Sequence, residues 1–494
     1  MLDLVIRNLR VVRPRVANVE MLDVGIQGGK FAELSARIDP SRATRVVDGR
    51  GLLAFPGLVD AHTHVGIYHP LETDAASESK AAAAGGVTTM VSYMRTGQYY
   101  LDKGGTYAEF LPEVLQRSEG HYDVDYAYHL APITRRHIGE IEMLRREHGI
   151  ASFKIFMFYG GHGLHGRSNS QREFLKLEEG DSYDIAHFEA IMRAIAALDD
   201  RDVTLSLHCE ISDILNAYTA LVQNEGKLSG LAAYSAARPS HSEGLAVFIA
   251  GYLADETRCP RINLLHLTSK KAIEAALTMR RVFPHVDIGT EATIGHLLLD
   301  TECKAGVLAK VNPPIRPRAD VERLWQGVLA GEVDWVVSDH ACCSREHKVP
   351  PGGGPESDVF AAKAGFGGTE YLLSGLLSEG KRRGLPLHRV AELTSYRPAQ
   401  RFALYQKGDI ALGYDADLAI VDDRETFVVG PDTSPSGQGY SPFDGLTMSA
   451  RVTETWLRGE QVWDRGRSVA GGRGRYLARP YGAERKERKE KENH

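Results

Sequence analysis

The chain has 494 residues, 43% of them hydrophobic and 25% charged, with a formal net charge of −6. That length exceeds one minimal domain and suits a barrel of roughly 250 to 400 residues with a smaller companion. The composition is that of an ordinary globular protein, and with no long basic stretch in its body the chain is a poor partner for nucleic acid or an anionic membrane.

The N-terminus, MLDLVIRNLRVV, alternates like a strand and lacks the basic-then-apolar pattern of a signal peptide. No run of about 18 apolar residues suggests a membrane span. Five cysteines (Cys209, Cys259, Cys303, Cys342 and Cys343) are scattered and odd in number, so neither a disulfide framework nor a paired CxxC zinc site is visible. A cytoplasmic address is expected.

Residues 1–55 read as short strands joined by turns: LDLVIRNLRVV, MLDVGIQGGKFAEL and ATRVVDGRGLLAFPG, with Pro56 and Gly57 as punctuation. From 56 to 400 apolar runs alternate with amphipathic stretches. The strand candidates are LVDAHTH (58–64), VTTMVSY (87–93), VDYAYHLAPI (124–133) and SFKIFMF (152–158), then VTLSLHCE (203–210), RINLLHLTS (261–269), VDIGTEA (286–292) and VDWVVSDH (333–340). Between them lie helical patterns such as YDIAHFEAIMRAIAALDD and SKKAIEAALTMRRVF. Apolar strands separated by helices predict an α/β chain built on a (β/α)8 TIM-type barrel. Residues 401–482 return to strand patterns and are expected to join 1–55 in one small β-sandwich domain. Residues 483–494 read as a charged flexible tail.

Chemistry concentrates at the strand ends. The first candidate ends Asp60-Ala61-His62-Thr63-His64, and period two turns His62 and His64 to the same side, within reach of one metal ion. The fifth carries His208, the sixth His266 and the eighth Asp339, while Lys154 sits amid apolar residues of the fourth. All lie toward the C-terminal ends, where barrels of this kind build their sites. Singly, a strand histidine is more often a satisfied core residue and a strand-end aspartate a helix cap; His129 is assigned to the core on that ground. Six convergent groups in one periodic pattern favour a site. A buried Lys154 ammonium beside cations is disfavoured by repulsion and desolvation. One remedy is carbamylation to an anionic ligand; the alternative is a lysine that snorkels or pairs with a carboxylate.

DAHTH, SFKIFMFY, LHCE, LLHLTS, VNPPIR and SDHA, in this order, resemble the dihydropyrimidinase and hydantoinase group of the amidohydrolase superfamily across nearly the whole chain. GYDADLAIVD and the late GRGRYL resemble that group's C-terminal β-domain. The resemblance implies hydrolysis of a cyclic amide or imide C–N bond by a hydroxide held between two divalent ions, usually Zn2+, with Mn2+ admissible. It implies His62, His64 and Asp339 on one ion, His208 and His266 on the other, and carbamylated Lys154 on both. Asp339 would take the proton of the attacking water and deliver it to the departing nitrogen. Tyr159, in the pattern FMxY, would help stabilise the oxyanion. A homo-oligomer, tetramer or dimer, is implied as well.

The chain departs from that group around the substrate. Dihydroorotases carry Arg, and allantoinases often Asn, two residues beyond the second histidine, where Gly66 stands here. Arg95, in Tyr93-Met94-Arg95-Thr96, either faces substrate or pairs with a loop carboxylate. Asn312, in NPPIR, is expected to meet the ring amide; its bland reading is a turn before two prolines. The long loop 160–183 is expected to cover the pocket, its His162 and His165 at the surface or on substrate. Glu291 to His296 and Cys342-Cys343 replace segments that usually contain proline. Allantoin, dihydroorotate or a noncyclic amide or carbamate are alternative substrates on the same core. A catalytically silent scaffold or a closed structural zinc site fits six retained ligands poorly.

Overall fold

The structure, a computed structural model, describes residues 1–160, 170–430, 433–469, 471–479 and 481. Eight parallel strands run side by side in chain order: Leu58–Thr63, Val87–Met94, Asp125–Leu130, Ser152–Phe156, Thr204–His208, Arg261–Leu264, Asp287–Thr293 and Trp335–Val337. The first five of these are buried at every position. Helices cover one face of such a sheet and neighbouring strands the other, so the strands read as continuous apolar runs rather than alternations. The barrel closes where Thr63 bridges His340 in parallel and the His64 amide donates to the His340 carbonyl at 2.7 Å.

Local sequence explains the helices between strands. In Ile185–Ala197 the Asp184 side chain caps the His187 amide, and in Lys270–Val282 Ser269 caps Ala272. The second helix buries Ala272, Ile273, Ala275, Ala276 and Met279, one stripe at helical spacing.

Strands from both chain ends form a single nine-stranded sheet beside the barrel. Its seam is Leu53–Pro56, parallel to Leu2–Arg13 and antiparallel to Leu418–Asp422. Leu4, Ile6, Val24, Ile26, Phe31, Leu418, Ile420 and Trp456 form its core.

Two expectations need correcting. The sixth and eighth barrel strands stop earlier than read, at Leu264 and Val337, because His266 and Asp339 adopt φ of 32° and 56°, which ends the ladder. The stretch after Ser468 does not stay with the nine-stranded sheet. It runs under the barrel's N-terminal face, where Tyr126 N donates to Arg475 O, Leu477 N to Tyr126 O and Arg479 N to Gly149 O. The tail expected over 483–494 lies outside the described residues. Among the described residues no helix is long and apolar enough to cross a membrane.

Candidate metal centre

The first barrel strand delivers His62, and His64 follows one residue past its end. Asp339 reaches both from the loop after the eighth strand: its Oδ1 lies 3.0 Å from His62 Nε2 and 3.4 Å from His64 Nε2. Donor atoms of these three side chains all fall within 4.8 Å of one another, a spacing that can hold a metal ion. Lys154, from the fourth strand, puts Nζ 3.3 Å from His62 Nε2 and 3.7 Å from the centroid of the Tyr93 ring. The His208 and His266 rings lie 4.4 Å apart, and the His266 ring is 5.3 Å from that of His62. The six side chains singled out from the sequence are therefore neighbours.

Buried partners orient the imidazoles. Glu291, fully buried in the seventh strand, accepts from His62 Nδ1 at 2.7 Å and from the His266 amide at 3.1 Å. Its other oxygen accepts from Trp335 Nε1 at 2.9 Å. Tyr100 Oη lies 2.8 Å from His64 Nδ1. His208 Nε2 meets Glu210, which Arg238 Nε holds at 3.0 Å, leaving Nδ1 as the lone-pair nitrogen. His266 Nδ1 is buried with no hydrogen-bond partner among the described residues. An orphaned buried nitrogen beside His, Asp and Lys donors is what a divalent cation would satisfy, so the residues fit a metal centre.

The electrostatics agree with that fit. Burial pulls the imidazoles of His64 and His208 down to about 3 and about 4, and burial with neighbouring His208 takes His266 well below its ordinary value. Burial also lowers Lys154, to about 7, against the opposing pull of Asp339 and Glu291. His62 goes the other way: burial opposes its charge, but Asp339 and Glu291 outweigh it and raise the imidazole. Burial likewise works against the Asp339 carboxylate, yet His62, through charge and a hydrogen bond, holds it well below the usual range. Three lone-pair imidazoles around an ionised carboxylate form a site ready for cations.

Above the cluster lies a cavity of about 60 Å³ lined by Tyr100, Tyr159 and Asn312 as well as by His64, Lys154 and Asp339. Asn312 lines it with its Oδ1 engaged by the Tyr234 hydroxyl at 2.5 Å. Arg95, expected at the substrate or on a loop carboxylate, does neither: it is buried behind Tyr159 and is not part of the cavity lining. His129 is a satisfied core residue, bonded to Ser152 Oγ and Ala61 O. His162 and His165 fall outside the described residues. Cys342 and Cys343 are buried and free, Cys342 beside Asp74 and Glu78. The sequence reading overlooked Glu291, Glu210 and Tyr100. A carboxylate at the end of an otherwise apolar strand was the available signal for Glu291.

The sequence model of the amidohydrolase family matches residues 185–462. An allantoinase of Rubrobacter xylanophilus is 33% identical over 482 residues, covering 96% of this chain and 97% of its own. An allantoinase of Salmonella choleraesuis is 28% identical over 477 residues, covering 94% and 95%. Among solved structures, the L-hydantoinase (dihydropyrimidinase) of Arthrobacter aurescens has a TM-score of 0.83 at 27% identity, over 96% of this chain and 99% of that one. The dihydropyrimidinase of Brevibacillus agri has a TM-score of 0.83 at 24% identity over 98% and 100%, a likeness of fold.

Proposed function

This chain belongs to the amidohydrolase family, and on that premise we propose that it is a hydrolase opening the C–N bond of a hydantoin-type ring. Allantoin, itself a hydantoin with a ureido arm, is the first candidate, and unsubstituted hydantoins and dihydropyrimidines follow. The observation that carries the proposal is the meeting of His62, His64 and Asp339 donor atoms within 4.8 Å beneath a cavity on the barrel's C-terminal rim. The identity to curated allantoinases supports the choice of ring. Gly66 stands where dihydroorotases carry the Arg that binds the substrate carboxylate, which speaks against dihydroorotate.

His62, His64 and Asp339 would hold one divalent ion, His208 and His266 a second, and Lys154 both; zinc suits this donor set and manganese is the alternative. When bound, the ions supply Lewis acidity, lowering the pKa of water and polarising the ring carbonyl. Lys154 would hold both ions as a carbamate: its neutral amine would form a bond to the carbon of CO2, one C=O pair would move to oxygen, and the nitrogen would release a proton to solvent. The product replaces a repelled ammonium by an anionic ligand. Asp339 accepts a proton from the attacking water and returns it to the ring nitrogen as the C–N bond breaks. Tyr159 donates a hydrogen bond to the carbonyl oxygen as charge collects there. Asn312, its side-chain oxygen taken by Tyr234, meets the ring amide through its remaining groups.

A homo-oligomer, dimer or tetramer, is part of the same reading. Leu245, Phe248 and Tyr252 lie exposed along one helix, and sizing in solution reads the outcome. The enzymatic test is a mass-spectrometric panel on zinc- or manganese-loaded protein in bicarbonate, with allantoin, hydantoin, dihydrouracil, dihydroorotate and cyclic imides. Gain of one water by a hydantoin ring, abolished in Asp339→Asn and Lys154→Ala, is the expected result. No turnover of any ring with two ions verifiably bound would sink the cyclic-amide reading.

A further inference from the structure

Arg95, just past the second barrel strand, is a buried charge that the proposed chemistry does not use. It is 1% exposed, yet among the described residues its hydrogen bonds go only to oxygens of Tyr159, Thr96 and Gln98, none of them a carboxylate. The undescribed segment 161–169 contains no acidic residue either. A buried cation without a counter-ion is costly.

What surrounds it are oriented lone pairs and aromatic faces. Nη1 donates to Thr96 O at 3.0 Å and Gln98 O at 2.9 Å, while Nη2 has no partner among the described residues. The guanidinium carbon lies 4.7 Å from the Phe174 ring centroid, 5.2 Å from Tyr159 and 5.6 Å from Tyr100, within cation–π range of each. Nε donates to Tyr159 Oη at 3.2 Å. Tyr100 and Tyr159 both line the cavity, and Tyr100 also touches His64. The loop that wraps the guanidinium leaves no slack: at Gly97, φ +109°, a Cβ would fall 2.8 Å from Arg95 Nη1.

Because the Arg95 N–H occupies a lone pair of the phenol oxygen, Tyr159 can give its own proton only away from Arg95, and Arg95 is not on the cavity side. Burial raises the Tyr159 phenol, and Arg95 is the group that opposes the rise. We infer that Arg95 is a positioning residue that fixes the Tyr159 hydroxyl as a donor into the cavity and lends it positive charge as the substrate carbonyl becomes negative. This rests on the proposed role of Tyr159. No bond is made or broken at Arg95.

A double-mutant cycle on metal-loaded full-length enzyme, with allantoin and hydantoin as probes, tests it. Tyr159→Phe is expected to lower kcat about 100-fold, the scale of one lost oxyanion donor. Arg95→Met is expected to lower kcat roughly 10-fold with KM little changed, since it weakens one such donor without removing it. The double variant should be no slower than Tyr159→Phe, and Arg95→Lys should recover part of the loss. An additive double variant, or an Arg95→Met that moves KM instead of kcat, overturns the role of Arg95 alone. A fully active Tyr159→Phe overturns the oxyanion reading of Tyr159 and this inference with it. Should Arg95→Met not fold, Arg95→Lys carrying 3-fluorotyrosine at position 159 decides. Its 19F resonance is expected to shift from that of the Arg95 enzyme, and an unchanged resonance overturns the inference.

Discussion

The two ends of the barrel both bury dense charge, and they treat it in opposite ways. Under the N-terminal face, Lys407 sits among Asp125, Asp415 and Asp417 at 2.6, 2.9 and 2.7 Å, and Arg458 adds a further pair to Asp125. Those three carboxylates are close enough to one another to pass for a metal group. A lysine already stands among them. Its charge is opposed by burial but upheld by Asp417, Asp125 and Asp415, which raise it above the ordinary lysine value. On the C-terminal rim the donors are mostly lone-pair nitrogens with one of them, His266 Nδ1, orphaned among the described residues, and the Lys154 ammonium beside them is pulled down rather than up. Closeness of donors alone does not mark a site; what marks it is charge and hydrogen-bonding capacity left unmatched within the fold.

That contrast is broken most severely at Asp339. Asp339→Asn keeps the shape but removes the proton carrier, and kcat for the ring substrate is expected to fall about 1,000-fold or more, with the melting temperature nearly unchanged. The mirror experiment is Lys407→Met. It strands buried carboxylates, and breaking a buried pair from one side costs about 3–5 kcal/mol. Denaturant unfolding should show that loss while kcat of the surviving folded enzyme stays within about twofold, the spread ordinary surface changes would also give. A large kcat loss in Lys407→Met would mean the two faces are coupled and the comparison is wrong.

The same contrast explains what could be read in advance. Strands buried on both sides produce long apolar runs, so the barrel and its strand order are legible from LVDAHTH onward, and donors at strand ends stand out against that background. Elsewhere the deciding contact is remote in sequence. Glu291 acquires its meaning from His62, 229 positions away, and Arg95 from a tyrosine 64 positions on. The ends of the sixth and eighth strands were misplaced because left-handed backbone at His266 and Asp339 is not encoded by glycine. The run GRGRYLAR under the barrel was invisible as a barrel element because main-chain atoms make its bonds to Tyr126 and Gly149, and main chain carries no sequence signal.

A finer cut at the rim leaves the ligands in place and removes what orients them. Glu291→Gln keeps one acceptor oxygen but loses a charge that, with Asp339, raises His62. Metal affinity, read by competition with a chelator, should drop roughly 10- to 100-fold, the usual consequence of losing such a carboxylate. An unchanged affinity would show that Glu291 serves the barrel core through Trp335 and not the centre.

The smallest expected effect concerns acid. Burial holds His64 and His208 at about 3 and about 4 in the folded, metal-free chain against an ordinary 6.5, and it holds His266 well below that ordinary value too. Between those values and 6.5 the unfolded chain binds more protons than the folded one, so stability rises with pH across that window. In metal-free protein the contribution of these three imidazoles should therefore be complete above about 6.5 and be lost progressively on acidification toward about 4, while His62, raised instead, contributes in the opposite sense. The N-terminal face does not share this dependence through Lys407, whose raised value keeps it charged throughout. The melting temperature of the unaltered protein, stripped of metal, should then fall between pH 7.5 and pH 5. His208→Asn should flatten the shift, because it removes one of the imidazoles that resist protonation. If instead His208→Asn leaves the shift unchanged, the acid-sensitive charge does not lie in this imidazole and its assignment to the rim is wrong.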